Sequence, residues 1–158
     1  MTPHTSCANR VHETKSKMSR LDRMLRRIVY ISRSLIGSDP NGLEAILSSS
    51  IRRNAEVAVT GMLWVGNDNF AQVIEGNPDD VGRAMDRIRA DRRHTDIEVL
   101  LDRPVLSRQF GNWSMQRAND DAASAHGTTF MIGFALGNRT ASAKRLYEIV
   151  VADDAQGA

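Results

Sequence analysis

Apolar and polar positions divide the chain into a polar N-terminal stretch, a central block with clear strand and helix periods, and a weaker C-terminal part. Residues 1–24 scatter Thr, Ser, Lys and Arg without a sustained apolar period, which predicts a mobile extension in which Met18 and Met24 are further candidate starts. Ile28-Val29-Tyr30-Ile31 is a short β-branched run with strand character. Turn formers follow from Gly37 to Gly42, and Leu43, Ile46, Leu47, Ser50 and Ile51 then recur at helical spacing, predicting a helix over Leu43–Arg53. Val57–Val65 reads as a second strand, Gly66-Asn67-Asp68-Asn69 as a hairpin turn, and Phe70–Glu75 as the strand returning from it. Asn77-Pro78-Asp79-Asp80 combines a capping side chain, a first-turn Pro and two carboxylates that suit a helix N-terminus; Val81, Met85 and Ile88 carry that helix toward Asp91. Ile97–Leu101 is a fourth strand closed by Pro104, and a fifth includes Trp113 to Gln116.

This order predicts an α+β protein, a ferredoxin-like split βαβ sandwich of β-α-β-β-α-β-β order. One mostly antiparallel sheet carries both helices on one face, with C-terminal helices on or near the other. After residue 120 the pattern weakens: Gly127, Gly133 and Gly137 interrupt it, and only Ala141–Val151 has firm helical spacing.

Composition narrows the class. A chain of 158 residues suits one domain with a real core. A single cysteine, Cys7, supports no disulfide framework and predicts a reducing, cytoplasmic setting. No apolar run reaches the roughly 18 residues of a membrane span, and the N-terminus lacks a signal-peptide core. The net charge of +2 is unevenly placed. Residues 1–27 carry seven basic and two acidic side chains, whereas the remainder carries 14 basic and 17 acidic. A mildly acidic body with eight aromatics in all fits a nucleic-acid-binding face poorly.

The usual catalytic signatures are missing. His4, His12, His94 and His126 have no metal-ligand spacing, and no phosphate loop or nucleophile elbow is present, so the chain reads as a non-enzyme that binds no metal. What the pattern does offer is polar groups in strands otherwise built for burial. Tyr30 lies between Val29 and Ile31, and Gln72 between Phe70 and Val73-Ile74, while Asn54 ends the first predicted helix. Singly, each has an ordinary reading as an edge hydroxyl, a solvent-facing amide or a helix cap. A buried amide without partners costs on the order of a few kcal/mol, so a buried Gln must have something to bond.

Together they carry a resemblance. Arg27–Ser34, Arg53-Asn54 with Val59-Thr60-Gly61, Phe70-Ala71-Gln72-Val73-Ile74-Glu75-Gly76, Arg87-Ile88 through Asp91-Arg92-Arg93-His94, and Phe110-Gly111-Asn112-Trp113-Ser114-Met115 resemble the BLUF family of flavin-based blue-light sensors, over about Leu25 to Gln116. The resemblance implies FAD as cofactor, with FMN or riboflavin as possible substitutes, and an isoalloxazine ring clasped between the two helices. It implies Tyr30 as electron and proton donor to the excited flavin, and Gln72 as the bridge from the Tyr hydroxyl to the ring's N5/C4=O edge. Asn54 is implied at the C4=O and N3–H edge, Ile46 and Ile88 as apolar walls, and Arg87, Asp91, Arg93 and His94 on the second helix's side of the pocket. Trp113 and Met115 are implied as alternative neighbours of Gln72 that carry the signal.

Three features depart from the pattern: Ala71 stands where a bulky apolar residue is more usual, Trp64 where Tyr is common (a core residue or a competing electron donor), and Asn67-Asp68-Asn69 where the turn is more glycine-rich. The expected organisation is a basic extension over 1–24, a flavin-binding sensor over 25–117, and a C-terminal helical segment over 118–158, as in short family members that lack an effector domain. Output then passes to a protein partner of unspecified identity or through a change in homo-oligomeric assembly. The rival reading is a light-blind protein-binding module of the same fold.

Overall fold

The computed structural model describes residues 24–156 apart from 38, 112, 113 and 120. The predicted N-terminal extension, save Met24, lies outside the described residues, as does Trp113. The elements are β1 (Leu25–Ser34), α1 (Pro40–Glu56), β2 (Thr60–Gly66), β3 (Asn69–Gly76), α2 (Pro78–Ala90), β4 (His94–Val105), β5 (Gln116–Arg117), α3 (Ala122–Gly137) and α4 (Ala141–Gln156). The sheet order is β4-β1-β3-β2-β5, antiparallel throughout except for the parallel pairing of β5 with β2. This is the ferredoxin-like arrangement the sequence predicts, with one strand added at the β2 edge.

Alternation along the strands sends residues to two cores. Ile28, Tyr30, Leu63, Phe70 and Ile74 face α1 and α2, where Val81, Ala84 and Met85 cover them. Val29, Ile31, Met62, Trp64, Ala71 and Val73 face α3 and α4, packing against Met131, Ala135, Leu146, Ile149 and Val150. Burial on both faces is why β1 reads as an unbroken apolar run rather than an alternating one. The departures Trp64 and Ala71 sit directly opposite one another in the β2–β3 register. The small side chain leaves room for the indole, whose Nε1–H donates to Thr128 Oγ1 at 2.9 Å.

Local chemistry sets the element ends. The Asp39 carboxylate accepts from Asn41 N–H at 3.0 Å and Pro40 takes the first turn, so α1 begins three residues before the first apolar position of its period. Asn77 caps α2 in the same way, accepting from Asp79 N–H at 3.0 Å. Asn67 and Asp68 both hold positive φ, 52° and 58°, which lets a two-residue loop match the twist of β2 and β3.

The C-terminal part differs from the sequence expectation. α3 runs unbroken through Gly127, Gly133 and Gly137. A Cβ on Gly127 would come within 2.7 Å of Met62 Sδ, so this glycine lets the helix approach the sheet rather than ending it. The fifth strand is shorter and later than expected: β5 is two residues, Gln116 opposite Met62 and Arg117 opposite Leu63. Gln116 donates to the α3 N-cap Asp121 at 2.6 Å, and Arg117 to Asp153 of α4 at 3.3 Å. No helix among the described residues is long and apolar enough to cross a membrane.

Ala58 occupies the left-handed region (φ 52°) between α1 and β2. A non-glycine residue there costs roughly 1–2 kcal/mol, partly recovered through its stiffer unfolded chain. Ala58→Gly is therefore expected to stabilise the protein by about 0.5–1 kcal/mol, read as a higher urea midpoint at unchanged m-value.

Candidate functional site

Tyr30 of β1 and Gln72 of β3 are directly opposed in register and point to the same face, so strand pairing alone brings their side chains together. Both are buried. The Tyr30 hydroxyl donates to Gln72 Oε1. The other end of that amide, Nε2–H, donates to Met115 Sδ at 3.2 Å. A thioether is a weak acceptor, so one side of Gln72 is held firmly and the other by a bond that a better acceptor would replace.

Asn54, in the last turn of α1, is 5% exposed. Its backbone carbonyl closes the helix by accepting from Val57 and Val59 N–H, at 3.3 and 3.0 Å. Its Nδ2–H donates to Ser114 C=O at 2.8 Å. Among the described residues, Asn54 Oδ1 has no protein partner. Asn54 and Gln72 thus hold consecutive residues, Ser114 and Met115, of the segment that joins β4 to β5.

Above this network a cleft, open to solvent, separates α1 from α2. Gln72 and Ile74 form its sheet side, and Ser49, Ser50, Arg53 and Asn54 its α1 wall. Ala84, Arg87 and Ile88 form the α2 wall, with Asp91 and Arg93 just beyond the helix. The Arg93 guanidinium grips Asp91 (Nη2–Oδ2 2.6 Å, Nε–Oδ1 2.9 Å) and holds that carboxyl below its ordinary range. Arg53 and Arg87 form no ion pair among the described residues. Burial, and secondarily the Asp91 carboxylate, push the Tyr30 hydroxyl far above its ordinary value. The phenol therefore keeps its proton at neutral pH. Its contribution to stability is whole below about pH 10 and is lost as the pH rises beyond it.

The structure gathers most of the expected residues and displaces some. Asn54, Gln72, Arg87, Ile88, Asp91 and Arg93 line the cleft, with Tyr30 against Gln72. Ile46 packs in the apolar layer between α1 and the sheet. His94, expected to line the pocket, does not border the cleft. Its Nδ1 meets Ser32 Oγ at 2.8 Å and its Nε2 meets Ile88 C=O at 2.7 Å, so both ring nitrogens are committed to tying β1 to the end of α2. Ser49, Ser50, Arg53 and the Ser114 carbonyl were not foreseen. The first three could have been found, because they lie three and four residues apart on the helix face that also carries Ile46.

A planar ring with one edge of alternating donors and acceptors suits these walls. Ile74, Ala84 and Ile88 offer apolar surface, and the free Asn54 Oδ1 offers a buried acceptor. Arg53 and Arg87 are cations available to phosphate. A flavin has this shape and polarity, so the residues present fit one.

The sequence profile of the BLUF family, "Sensors of blue-light using FAD", matches residues 25–116. Photoactivated adenylate cyclase subunit beta of Euglena longa is 34% identical over 104 residues, covering 65% of this chain and 12% of that protein. Photoactivated adenylate cyclase subunit alpha of Euglena gracilis is 33% identical over 104 residues, 65% of this chain and 10% of that protein. The chain thus spans only about a tenth of the length of these curated relatives. Among solved structures, a Klebsiella pneumoniae BlrP1 complex with manganese and cy-diGMP superposes with a TM-score of 0.55 at 26% identity, covering 60% of this chain and 24% of that one. The dark-state structure of BlrB, a BLUF protein, gives 0.61 at 23% identity over 84% of this chain and 98% of that one, a likeness of fold. With the profile spanning more than half its length, the chain belongs to the BLUF family of flavin-binding blue-light sensors.

Proposed function

We propose that this chain is a blue-light photoreceptor in which Tyr30 and Gln72 carry out the photochemistry, FAD is the cofactor, and Ser114–Met115 is the first element to respond. The observation that carries this reading is the Gln72 amide. It is held between the Tyr30 hydroxyl and the Met115 thioether, beside the cleft.

Bound in the cleft, the flavin supplies absorption of blue light and, once excited, a strong one-electron acceptor. Tyr30 would be the residue that gives up an electron, with its hydroxyl proton, held on the hydrogen bond to Gln72 Oε1, moving along with it and both being restored to the phenol at the end of the cycle. Gln72 can rotate or tautomerise because one planar group presents both a donor and an acceptor. The net change is the hydrogen-bond arrangement of Gln72, with the Met115 bond given up and a donor turned toward the cleft. Asn54 Oδ1 orients the ring, and Ile88 of α2 and Ile46 of α1 keep the helix side apolar. Residues 25–117 act as the sensor and 118–158 as the segment that passes the change to a protein partner or to a second copy.

The test is the visible spectrum of the purified protein reconstituted with FAD, in the dark and under blue light. The expected result is a flavin spectrum that shifts slightly to the red and recovers in darkness. Bound flavin without a shift sinks the photochemical role of Tyr30 and Gln72, and no bound flavin leaves the light-blind binding module.

The unpaired guanidiniums give a separate prediction. Arg53→Ala/Arg87→Ala is expected to weaken FAD and FMN binding by about tenfold, through loss of charge-assisted contacts to phosphate, while riboflavin affinity stays within about twofold. Fluorescence titration with the three flavins checks it. Equal losses for all three would mean that the arginines act on the ring and not on the phosphate.

A further inference from the structure

The side of the sheet away from the cleft carries an ion pair with no part in the reading above. Arg27 and Glu75 are opposite each other in the β1–β3 register, and both are almost fully buried. Arg27 Nε–H donates to Glu75 Oε1 at 2.5 Å. Removing two ions from water costs several kcal/mol each, and their attraction repays it only when the remaining valences are satisfied. Those of Glu75 are satisfied here. Glu75 Oε2 accepts from the backbone N–H of Gln109 at 2.8 Å and of Phe110 at 3.1 Å. The Arg27 guanidinium lies against the rings of Phe110 and of Phe130 of α3, 5.9 and 5.2 Å from their centroids.

Those two amides belong to the segment between β4 and β5, whose other end touches the cleft network. At its start Arg108 binds the ends of the neighbouring strands, donating to Thr60 Oγ1 at 2.8 Å, Glu75 C=O at 3.0 Å and Ala58 C=O at 2.6 Å. At its far end Ser114 and Met115 are held by Asn54 and Gln72. Phe110 packs in the core beneath α3 and α4, Met115 in the core beneath α1 and α2. Phe110 and Met115 thus lie on opposite faces of the sheet, the first next to the Glu75 carboxylate and the second bonded to the Gln72 amide.

Resting on the photoreceptor reading, we propose that Glu75 is a positioning residue of the light response. It clamps the Gln109 and Phe110 amides and keeps Ser114 and Met115 within reach of Asn54 and Gln72, so it governs how fast the dark arrangement is restored. The clamp acts by preorganisation. When Gln72 releases Met115, the fixed pivot confines the far end of the segment to a small volume, which raises the chance of recapture. Loss of the pivot slows the return.

The test compares two variants of the full chain loaded with FAD. Arg27→Met/Glu75→Gln removes both charges and keeps an amide oxygen for the two N–H groups. Arg27→Met/Glu75→Leu removes that acceptor as well. Changing both partners avoids leaving one charge buried alone. The expected result is dark recovery within about twofold of wild type for the Gln variant and about tenfold slower for the Leu variant, with the dark absorption maximum and flavin content unchanged in both. Dark-state hydrogen exchange supplies a readout independent of light. Amides from Gln109 to Arg117 should exchange faster in the Leu variant only. Wild-type exchange in the Leu variant, or equal recovery in both variants, overturns the clamp. A wild-type protein that binds FAD but shows no reversible shift overturns the photoreceptor reading and the kinetic role with it, and the exchange pattern then still decides whether Glu75 holds the segment.

Discussion

Replacing Gln72 with Leu is expected to abolish the reversible red shift entirely while the chain still binds FAD. Leu has about the volume of Gln and suits the surrounding apolar core, but it offers neither the acceptor that Tyr30 uses nor the donor that Met115 receives. The Tyr30 hydroxyl is then left buried without a partner, at a cost of about 1–3 kcal/mol, against which the better burial of Leu is set. The net stability change is expected to be under about 2 kcal/mol, so loss of function will not be confused with loss of fold. Tyr30→Phe is the companion variant. It removes the hydroxyl that donates to Gln72 Oε1 and is expected to silence the response equally. Absorption difference spectra, with flavin content measured on the same samples, check both. A Tyr30→Phe protein that keeps its full reversible shift would show that another residue donates the electron.

Trp64→Ala is expected to have the opposite profile, a large loss of stability with the light response retained. Trp64 is 1% exposed and faces α3 and α4, on the other side of the sheet from Tyr30 and Gln72. Its removal leaves a cavity against Ala71 and strips Thr128 of its partner, which together cost about 3–5 kcal/mol. For a chain of this size that lowers Tm by roughly 10 °C or more. The cross-strand pairing gives a second reading of the same site. Ala71→Leu alone should overpack and cost about 1–3 kcal/mol, whereas added to Trp64→Ala it should recover part of the loss. Additive losses in thermal melts of the four proteins would mean that the two side chains do not share their space. The same geometry places Trp64 on the sheet face opposite Tyr30.

How much of this was legible in advance depends on the distance over which each feature is determined. Caps and turns are local, so Asn77, Pro78 and the Asn67-Asp68 hairpin could be read directly. The two-faced burial of β1 and β3 was legible as apolar runs, and the polar residues inside those runs, Tyr30 and Gln72, marked the network. Asn54 served two purposes, so its ordinary reading as a helix end and its place on the cleft wall are both correct. Long-range contacts were not legible. Gly127 reads as an interruption until Met62 is placed beneath it, and His94 reads as a pocket residue until Ser32 and the Ile88 carbonyl claim its two nitrogens. Arg53 resembles any solvated arginine in a helix until α2 is set across from it. Glu75 was part of a recognisable motif, yet its partners lie 34 and 35 residues away in the irregular segment and 48 away in β1, where no pattern announces them.

The two-sided sheet bears on any attempt to reduce the protein to a minimal photosensory unit. Cutting after residue 117 would keep every cleft residue, and on paper would leave a portable module. It would also lay bare Val29, Ile31, Met62, Trp64 and Val73, which α3 and α4 cover. An apolar floor of that extent invites self-association of the truncated protein. For fusion design, the practical unit ends after α4, and a grafted output domain belongs beyond it rather than in its place.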